Sequence, residues 1–501
     1  MTIEGEQTIT PQGYKENPDL MPVPAADKAK GYNLYTWTFM MFSMNTCIPM
    51  FFLGPIGGAL GLSLWQALVG ALIGNLAAVL VMFGNGAVGV RYGIPYPVQL
   101  RESFGFKGMH LPVLIRGISG TMWFGIEVWA GSYALTLIAL YALGVKAATA
   151  TTDAYSYMIP AVIFYLVLLV LVMRFGLRGI GRMADWAGPL MILYFVWLAV
   201  FLATQKQFSS HVSGLFVSTA GYLSVAFLLY LAVQTNWWAT VALNMSDLSR
   251  GMKPKHEGAF FWGLIIGVVL CQGLGTILGY SVTSLTGTTL PQDTILKYAG
   301  TGIGILGPIA IIVGLLFAFL APWSTDITAN VPPLIDIFMG SLKVRWKTAV
   351  VYAAIIGFIV CPWWAVTKGT QYTGYIQGWA GDYGILLGPI AGIMIGSYWI
   401  NRRQKLDLQK MYTAGPNGYG KNGWGRAAYL AWLSTVIVCY IIAILMNWAW
   451  APGTGLTLAR AGSSAFMAYL GAFPFPASVT WYFAVIFGIL FQVLFGHALK
   501  E

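Results

Sequence analysis

Trp37–Gly58 reads WTFMMFSMNTCIPMFFLGPIGG, an apolar run with Asn45, Thr46 and Pro49 at its middle. Its length matches the roughly 20 residues that cross a bilayer as a helix. Its centre does not suit a helix interior. Proline has no backbone N–H to donate and clashes with the turn before it, so the run predicts a helix broken halfway. A second run, Leu231–Asn244, reads LAVQTNWWATVALN. Gln234, Thr235 and Asn236 form a polar knot at the middle of that span, with no proline to explain it. Membrane helices tolerate such kinks for packing alone. Two interrupted spans are nonetheless what two inverted five-helix repeats would produce, and transporters of that kind bind substrate where their helices break.

The rest of the chain agrees with a membrane reading. Of 501 residues 57% are hydrophobic and 9% charged, against roughly 25% charged in soluble proteins. A water-soluble enzyme, a disordered chain and a fibrous one are excluded. Measured against the length of a transmembrane helix, the sequence holds about twelve spans. They centre near Met44, Leu72, Trp123, Tyr165, Leu193, Leu229, Val268, Phe317, Ile355, Ile390, Val436 and Val485. The expected class is an all-α polytopic membrane protein. The polar segment before the first span, with Glu4, Glu6, Lys15, Glu16, Asp19, Asp27, Lys28 and Lys30, has no cleavage signature of a signal peptide. Cys47, Cys271, Cys361 and Cys439 lie in apolar runs without CxxC spacing, and four histidines are scattered. No P-loop, HExxH or GxGD motif occurs, so an ATP-driven pump, an intramembrane enzyme and a resident cofactor are not expected. Nor do the spans carry the repeated polar rings of a channel.

The net charge of +11 is a matter of topology, not of nucleic-acid binding. Arg91/Arg101/Lys107, Arg174/Arg178/Arg182, Arg250/Lys253/Lys255, Lys343/Arg345/Lys347 and the cluster from Arg402 to Arg426 fall in one set of loops. The alternate loops hold only Lys146, Lys206, Lys297, Lys368 and Arg460. The positive-inside rule puts the first set and both termini in the cytoplasm. The longest loop on that side, Asn401–Gly425, contains GPNGYGKNGWG and reads as a flexible connector.

Ionisable groups inside spans are expensive, about 2.5–3.5 kcal/mol each on insertion scales, and therefore point to function. Glu127 and Asp326 are the deep ones; Asp185, Asp247 and Asp336 lie near span ends, where solvation by loops suffices. Trp123 and Glu127 are one turn apart and share a helix face. An aromatic plane beside a carboxylate suits a flat polar heterocycle, which stacks on one and donates N–H groups to the other. Around Asp326 the run FLAPWSTDITANVPP adds Ser324, Thr325, Thr328 and Asn330, oxygen-bearing groups that suit an alkali cation. With 20 Trp, 26 Tyr and 28 Phe in the chain, most aromatics belong to packing and interfacial belts.

Five runs together resemble the nucleobase:cation symporter-1 family, which includes hydantoin, allantoin and cytosine permeases. They are GNGAVGVRYGIPYPVQLRESFG (Gly84–Gly105), WFGIEVWAGS (Trp123–Ser132), WATVALNMSDLSR (Trp238–Arg250), STDITAN (Ser324–Asn330) and GPIAGIMIGSYWINRR (Gly388–Arg403). The resemblance implies a leucine-transporter-type fold. Its parts would be a tail (1–33), two inverted five-helix repeats (34–204 and 205–400), then a connector with two extra helices (401–501). It further implies a substrate sandwiched between Trp123 and Trp238, with Glu127, Asn330, Cys47 (or Asn45, in a shifted register) and the backbone at Trp237 around its polar edge. A sodium site would use carbonyls of Ser43, Thr46 and Ala321 and hydroxyls of Ser324 and Thr325. Asp382–Tyr398 would serve as a gate.

Three positions depart from the family pattern. Glu127 stands for the usual glutamine, Cys47 for a hydrogen-bonding residue, and Asp326 for asparagine. An ionised Glu127 would favour amino, amidine or cationic nitrogens, as in cytosine-, creatinine- or thiamine-like ligands. A protonated one would imitate glutamine, because burial raises carboxyl pKa values, and would add proton coupling. The expected function is therefore cation-coupled import, by sodium or proton, of a small nitrogenous heterocycle in an inner membrane. The rival within the same fold is an amine or amino-acid carrier, but TCIPMFF lacks the glycine run that would bind a carboxylate.

Overall fold

The computed structural model describes residues 9–13, 15–48, 50–205, 208–288, 290–362, 383–449 and 476–501. Pro49, Lys206, Lys368, Arg460, Glu4, Glu6, the expected gate start at Asp382 and most of the outer loop 451–477 lie outside them. Helices dominate. The first span is two pieces, α1 (Leu34–Asn45) and α2 (Met50–Ala59), meeting at 58°. There follow α3 (Leu64–Tyr92), α4 (His110–Ala142), α5 (Ala147–Met173), α6 (Gly176–Thr204), α7 (Val225–Asn236), α8 (Glu257–Thr286), α9 (Leu306–Ser341) and α10 (Trp346–Val360). The chain closes with α11 (Gly384–Asn401), α12 (Arg426–Ala449) and α13 (Pro476–Leu499). Every centre expected from the sequence falls inside one of these helices.

Both expected interruptions are present. After Asn45 the chain leaves helical geometry at Thr46 (φ −77°, ψ 75°), and Cys47 N–H turns back to the Asn45 carbonyl at 2.8 Å. The helix α7 stops at Asn236, and tight turns carry the chain to a short helix at Ser246–Ser249. A third irregularity lies in α9, where Asp326–Asn330 widens into a π-type turn just after Pro322. Such bulges are common at functional sites.

The helices sort by packing. α1, α2, α3, α7 and α8 pack on one another, α4, α5, α9 and α10 form a second set, and α6 touches α1 and α9. α11, α12 and α13 make a third group that leans on α3, α4 and α7. Close helix approach in a membrane depends on small residues. At the α2–α8 crossing a Cβ on Gly54 would lie 2.5 Å from the Thr276 carbonyl oxygen, so no larger residue fits.

The tail is laced across the basic end of the bundle. Arg101 Nη1 donates to Glu16 Oε2 at 2.6 Å, both side chains almost fully buried. Asn17 Nδ2 donates to the Val344 carbonyl at 2.8 Å, Tyr412 Oη to the Leu20 carbonyl at 2.7 Å, and Lys28 Nζ to the Gly89 and Val90 carbonyls. The connector is bound as well, in place of the loose linker its glycines suggest. Gln12 exchanges backbone hydrogen bonds with Tyr412 and Ala414, and Lys107 N–H meets Gly423 O at 2.8 Å. Gly415, Gly420 and Gly423 take φ of 78–89°, so its glycines serve defined turns.

Removing one partner of a buried ion pair strands the other charge, at about 3–5 kcal/mol. Arg101→Ala should accordingly lower the thermal midpoint of the purified protein by several degrees. An exposed pair contributes at most about 1 kcal/mol, so Arg345→Ala should shift it far less. A fluorescence melt of the two variants checks the contrast; equal shifts would deny the tail its buried anchor.

Candidate functional site

The break in α1 creates the site. The last four carbonyls of a helix have no intrahelical partner, and inside a membrane only protein or a bound group can satisfy them. Ser324 Oγ donates to the Ser43 carbonyl at 3.0 Å. Thr325 Oγ1 reaches the Ser43 and Met44 carbonyls at 3.3 and 3.2 Å. Both hydroxyls also lie 3.0 Å from the Ala321 carbonyl, one turn back on α9. Ser43, Ala321 and Ser324 are fully buried and Thr325 is 5% exposed. Ser43 Oγ, buried against Gly188 of α6, has no partner among the described residues. Neutral oxygens converging at a helix break are the ligand set of an alkali cation. The donor chemistry fits sodium. Thr46, expected in the same set through its carbonyl, turns its hydroxyl back to the Phe42 carbonyl at 2.8 Å.

The next residue in the break is Cys47, whose thiol lies beside the Glu127 carboxyl. Glu127 is 1% exposed, and its Oε2 has no hydrogen-bond partner among the described residues. The indole of Trp123, one turn away on α4, meets the ring of Trp237 edge-on, centroids 4.8 Å apart at 71°. Trp238, the ring that the resemblance implies for the sandwich, donates its Nε1 to Asn75 Oδ1 on α3 at 2.5 Å. The ring in direct contact with Trp123 is that of Trp237.

The other expected site groups are placed as follows. Asp326 is fully buried with both oxygens occupied, Oδ2 by Tyr165 Oη at 2.6 Å and Oδ1 by Asn330 Nδ2 at 2.9 Å. Asn330 therefore spends its amide on Asp326 across the π-turn. The polar knot of α7 serves contact with α3: Gln234 Oε1 accepts from Asn75 Nδ2 at 3.2 Å and Thr235 Oγ1 donates to the Gly74 carbonyl at 2.7 Å. Asp247 accepts from the Tyr96 N–H and from Asn244 Nδ2, both at 2.8 Å, a structural role.

Three residues near the site were missed in the sequence. Tyr165 donates to Asp326 but reads as one more aromatic in an apolar run. Asn75 holds Trp238 and hydrogen-bonds Gln234 Oε1 at 3.2 Å. Arg116, fully buried in α4, donates to Asn244 Oδ1 at 2.9 Å and to the Ala329 carbonyl at 3.0 Å, tying the break after α7 to the π-turn of α9. A cation within a span was the signal available for it.

An interrupted span whose oxygens meet a π-turn, beside a buried carboxyl and paired indoles, defines a membrane permease of leucine-transporter-type fold. Residues 22–462 match the model of a family described as permeases for cytosine/purines, uracil, thiamine and allantoin, and the chain belongs to that family. It is 28% identical to the allantoin permease of Bacillus subtilis, with 85% of this chain and 86% of that one covered. The purine-uracil permease NCS1 of Arabidopsis thaliana is 26% identical, with coverages of 86% and 73%. Among solved structures, Mhp1, a nucleobase-cation-symport-1 family transporter in a closed conformation with bromovinylhydantoin bound, superposes with a TM-score of 0.72. The identity is 19%, and 97% of this chain and 96% of that one are covered. The sodium-coupled sialic acid symporter shares the fold at a TM-score of 0.57 and 13% identity, with 94% and 92% covered.

The two neighbouring indoles should separate in experiment. Leaving Asn75 Oδ1 unpaired in a buried site is worth about 1–3 kcal/mol, so Trp238→Phe should lower thermal stability. Trp237→Ala should abolish uptake with a smaller change in melting. Paired melting and transport assays at equal expression test this; loss of uptake on Trp238→Phe alone, with no melting change, would put Trp238 in the site instead.

Proposed function

We propose that the chain is a sodium-coupled secondary importer of a small planar nitrogenous heterocycle, working by alternating access between two five-helix repeats. One observation carries this reading. The same broken stretch touches the cation-type oxygens through Ser43 and Met44 and the buried acid through Cys47. An ion drawing the Ser43 and Ala321 carbonyls together would set the position of Cys47, and with it the edge that Glu127 offers a ligand. Trp123 and Trp237 supply the aromatic surfaces. Relatives named for allantoin, hydantoin, purines and uracil support the substrate class.

Glu127 narrows the choice within it. A buried carboxylate with only a thiol, a weak donor, beside it is costly, and no Lys, Arg or His pairs with Glu127 among the described residues. A ligand that brings amino, amidine or ring N–H groups supplies the missing partners, so donor-rich heterocycles are preferred over carbonyl-rich ones. The basic loops support a tail-side face in the cytoplasm and residence in an inner membrane. Counterflow in proteoliposomes over a heterocycle panel tests the function. Exchange of at least one planar nitrogen heterocycle is expected; exchange of amino acids alone would assign the site to the rival class.

Two variants test the site's chemistry. A buried hydrogen bond to a charged group is worth about 1.5–3 kcal/mol, so Glu127→Gln should weaken a donor-rich substrate roughly ten- to hundredfold and improve carbonyl-rich rings. Unchanged affinity with a flattened pH dependence would show instead that Glu127 carries a proton through transport. Replacing Ser324 and Thr325 together by alanine should raise the sodium concentration for half-maximal uptake at least about tenfold, one lost charge-assisted contact being sufficient for that. Wild-type uptake that ignores sodium and collapses with an uncoupler would move the coupling to protons.

A further inference from the structure

On the basic face, away from the α1 break, a cleft of about 550 Å³ opens where α5 ends and α6 and α10 begin. Arg174, Arg250, Arg345 and Lys347 line it, with Asp19 of the tail the only acid among the described residues of the lining. Asp19 behaves as an anion of the protein's own. Its carboxylate accepts from Arg345 Nε at 2.7 Å and Nη2 at 3.3 Å, and from the Trp346 N–H at the start of α10 at 2.8 Å. Arg250 Nη1 adds a contact to its backbone carbonyl at 3.3 Å. Arg174 and Lys347 have no carboxylate partner among the described residues.

Four cations facing one carboxylate leave the cleft in excess positive charge, and its volume lies within the range of small-molecule sites. A forked guanidinium with a backbone amide at a helix start is the arrangement that takes a phosphate. The cleft opens at the level where spans end, and Phe175 on its rim is 68% exposed. Tryptophan at that depth, here Trp346 in the lining, marks the headgroup layer, and basic pockets between spans on the basic side hold anionic headgroups.

We propose that this cleft binds a phosphate group, carried by an anionic lipid of the adjacent leaflet or by a soluble phosphate compound, which takes over Arg345 and the Trp346 amide from Asp19 and so releases the tail from that corner. Burial alone would raise the Asp19 carboxyl, but the hydrogen bonds of Arg345 and Trp346 outweigh it and hold it below its ordinary value. A depressed carboxyl keeps its contact at every pH above its unfolded value, about 4, and loses it only as pH falls through the folded value. Release at neutral pH therefore needs a competing anion.

The test uses the full chain in nanodiscs of phosphatidylcholine doped with phosphatidylglycerol, with retained phosphatidylglycerol counted by native mass spectrometry. Wild type should retain it, and Arg174→Gln with Lys347→Gln should lose it roughly thirtyfold, the equivalent of two basic contacts near an anionic headgroup. Arg174→Lys with Lys347→Arg, which keeps the charge, should retain it. Asp19→Asn should raise retention; lowered retention would overturn the exchange with Asp19. In phosphatidylcholine alone, inorganic phosphate that raises the melting temperature of wild type but not of the Gln pair would assign the site to soluble phosphates. Equal retention by wild type and the Gln pair, with no such protection, would overturn the site.

Discussion

Carbonyls freed at a broken helix inside a bilayer must find partners within the protein, and here that need is met by two hydroxyls of another helix. Ser324 and Thr325 close the gap left by α1, and their own turn of α9 is kept in place by Pro322 before it and the π-turn after it. Everything else at the site is arranged around this contact. Cys47 comes beside Glu127 because the chain turns at Thr46 and does not wind on as helix. Asp326 tolerates full burial beside the cluster because Tyr165 and Asn330 take both its oxygens. A site of neutral oxygens, with its nearest carboxylate already engaged, favours a small monovalent ion over a divalent one, which would call for carboxylate ligands.

The same contact links the two packing sets. α1 belongs with α3, α7 and α8, whereas α9 belongs with α4, α5 and α10. Hydrogen bonds between Ser43 and Ser324 therefore span the boundary that a rocking motion would open. Arg116 crosses it a second time, from α4 to Asn244. On the basic face the tail crosses it too: Tyr32 pairs with Gly251 and Met252 near α8, while Asn17 holds the chain after α9. An ion at the centre and a strap at the periphery would act on one equilibrium.

Much of this was legible in the sequence, for reasons that differ by residue. Pro49 with Asn45 and Thr46 announces a break because a span has no other use for them. Ser324 and Thr325 stand out because hydroxyls and an acid together are rare in an apolar run. Glu127 was visible as a charge where charge is costly. What stayed hidden depends on direction more than on composition. Trp237 and Trp238 are adjacent and chemically identical, and only the turn after Asn236 decides which ring meets Trp123. Gln234 and Thr235 read only as a polar knot, because their partners on α3, Asn75 and Gly74, come from distant sequence. Tyr165 gives no sign of Asp326 before the two helices are packed. The glycine-rich connector looked free because its partners, Gln12 and Lys107, lie hundreds of residues away.

The central claim is that one broken stretch senses both the cation and the heterocycle, and thermodynamic reciprocity tests it most directly. If each bound species favours the same arrangement of α1 against α9, each must raise the other's affinity by the same factor. Titrating a transported heterocycle into the purified protein with and without sodium, and sodium with and without the heterocycle, measures both factors. The account predicts equal factors of about 5 to 150, the usual range of coupling between two sites. Heterocycle affinity that is identical at zero and saturating sodium would contradict it.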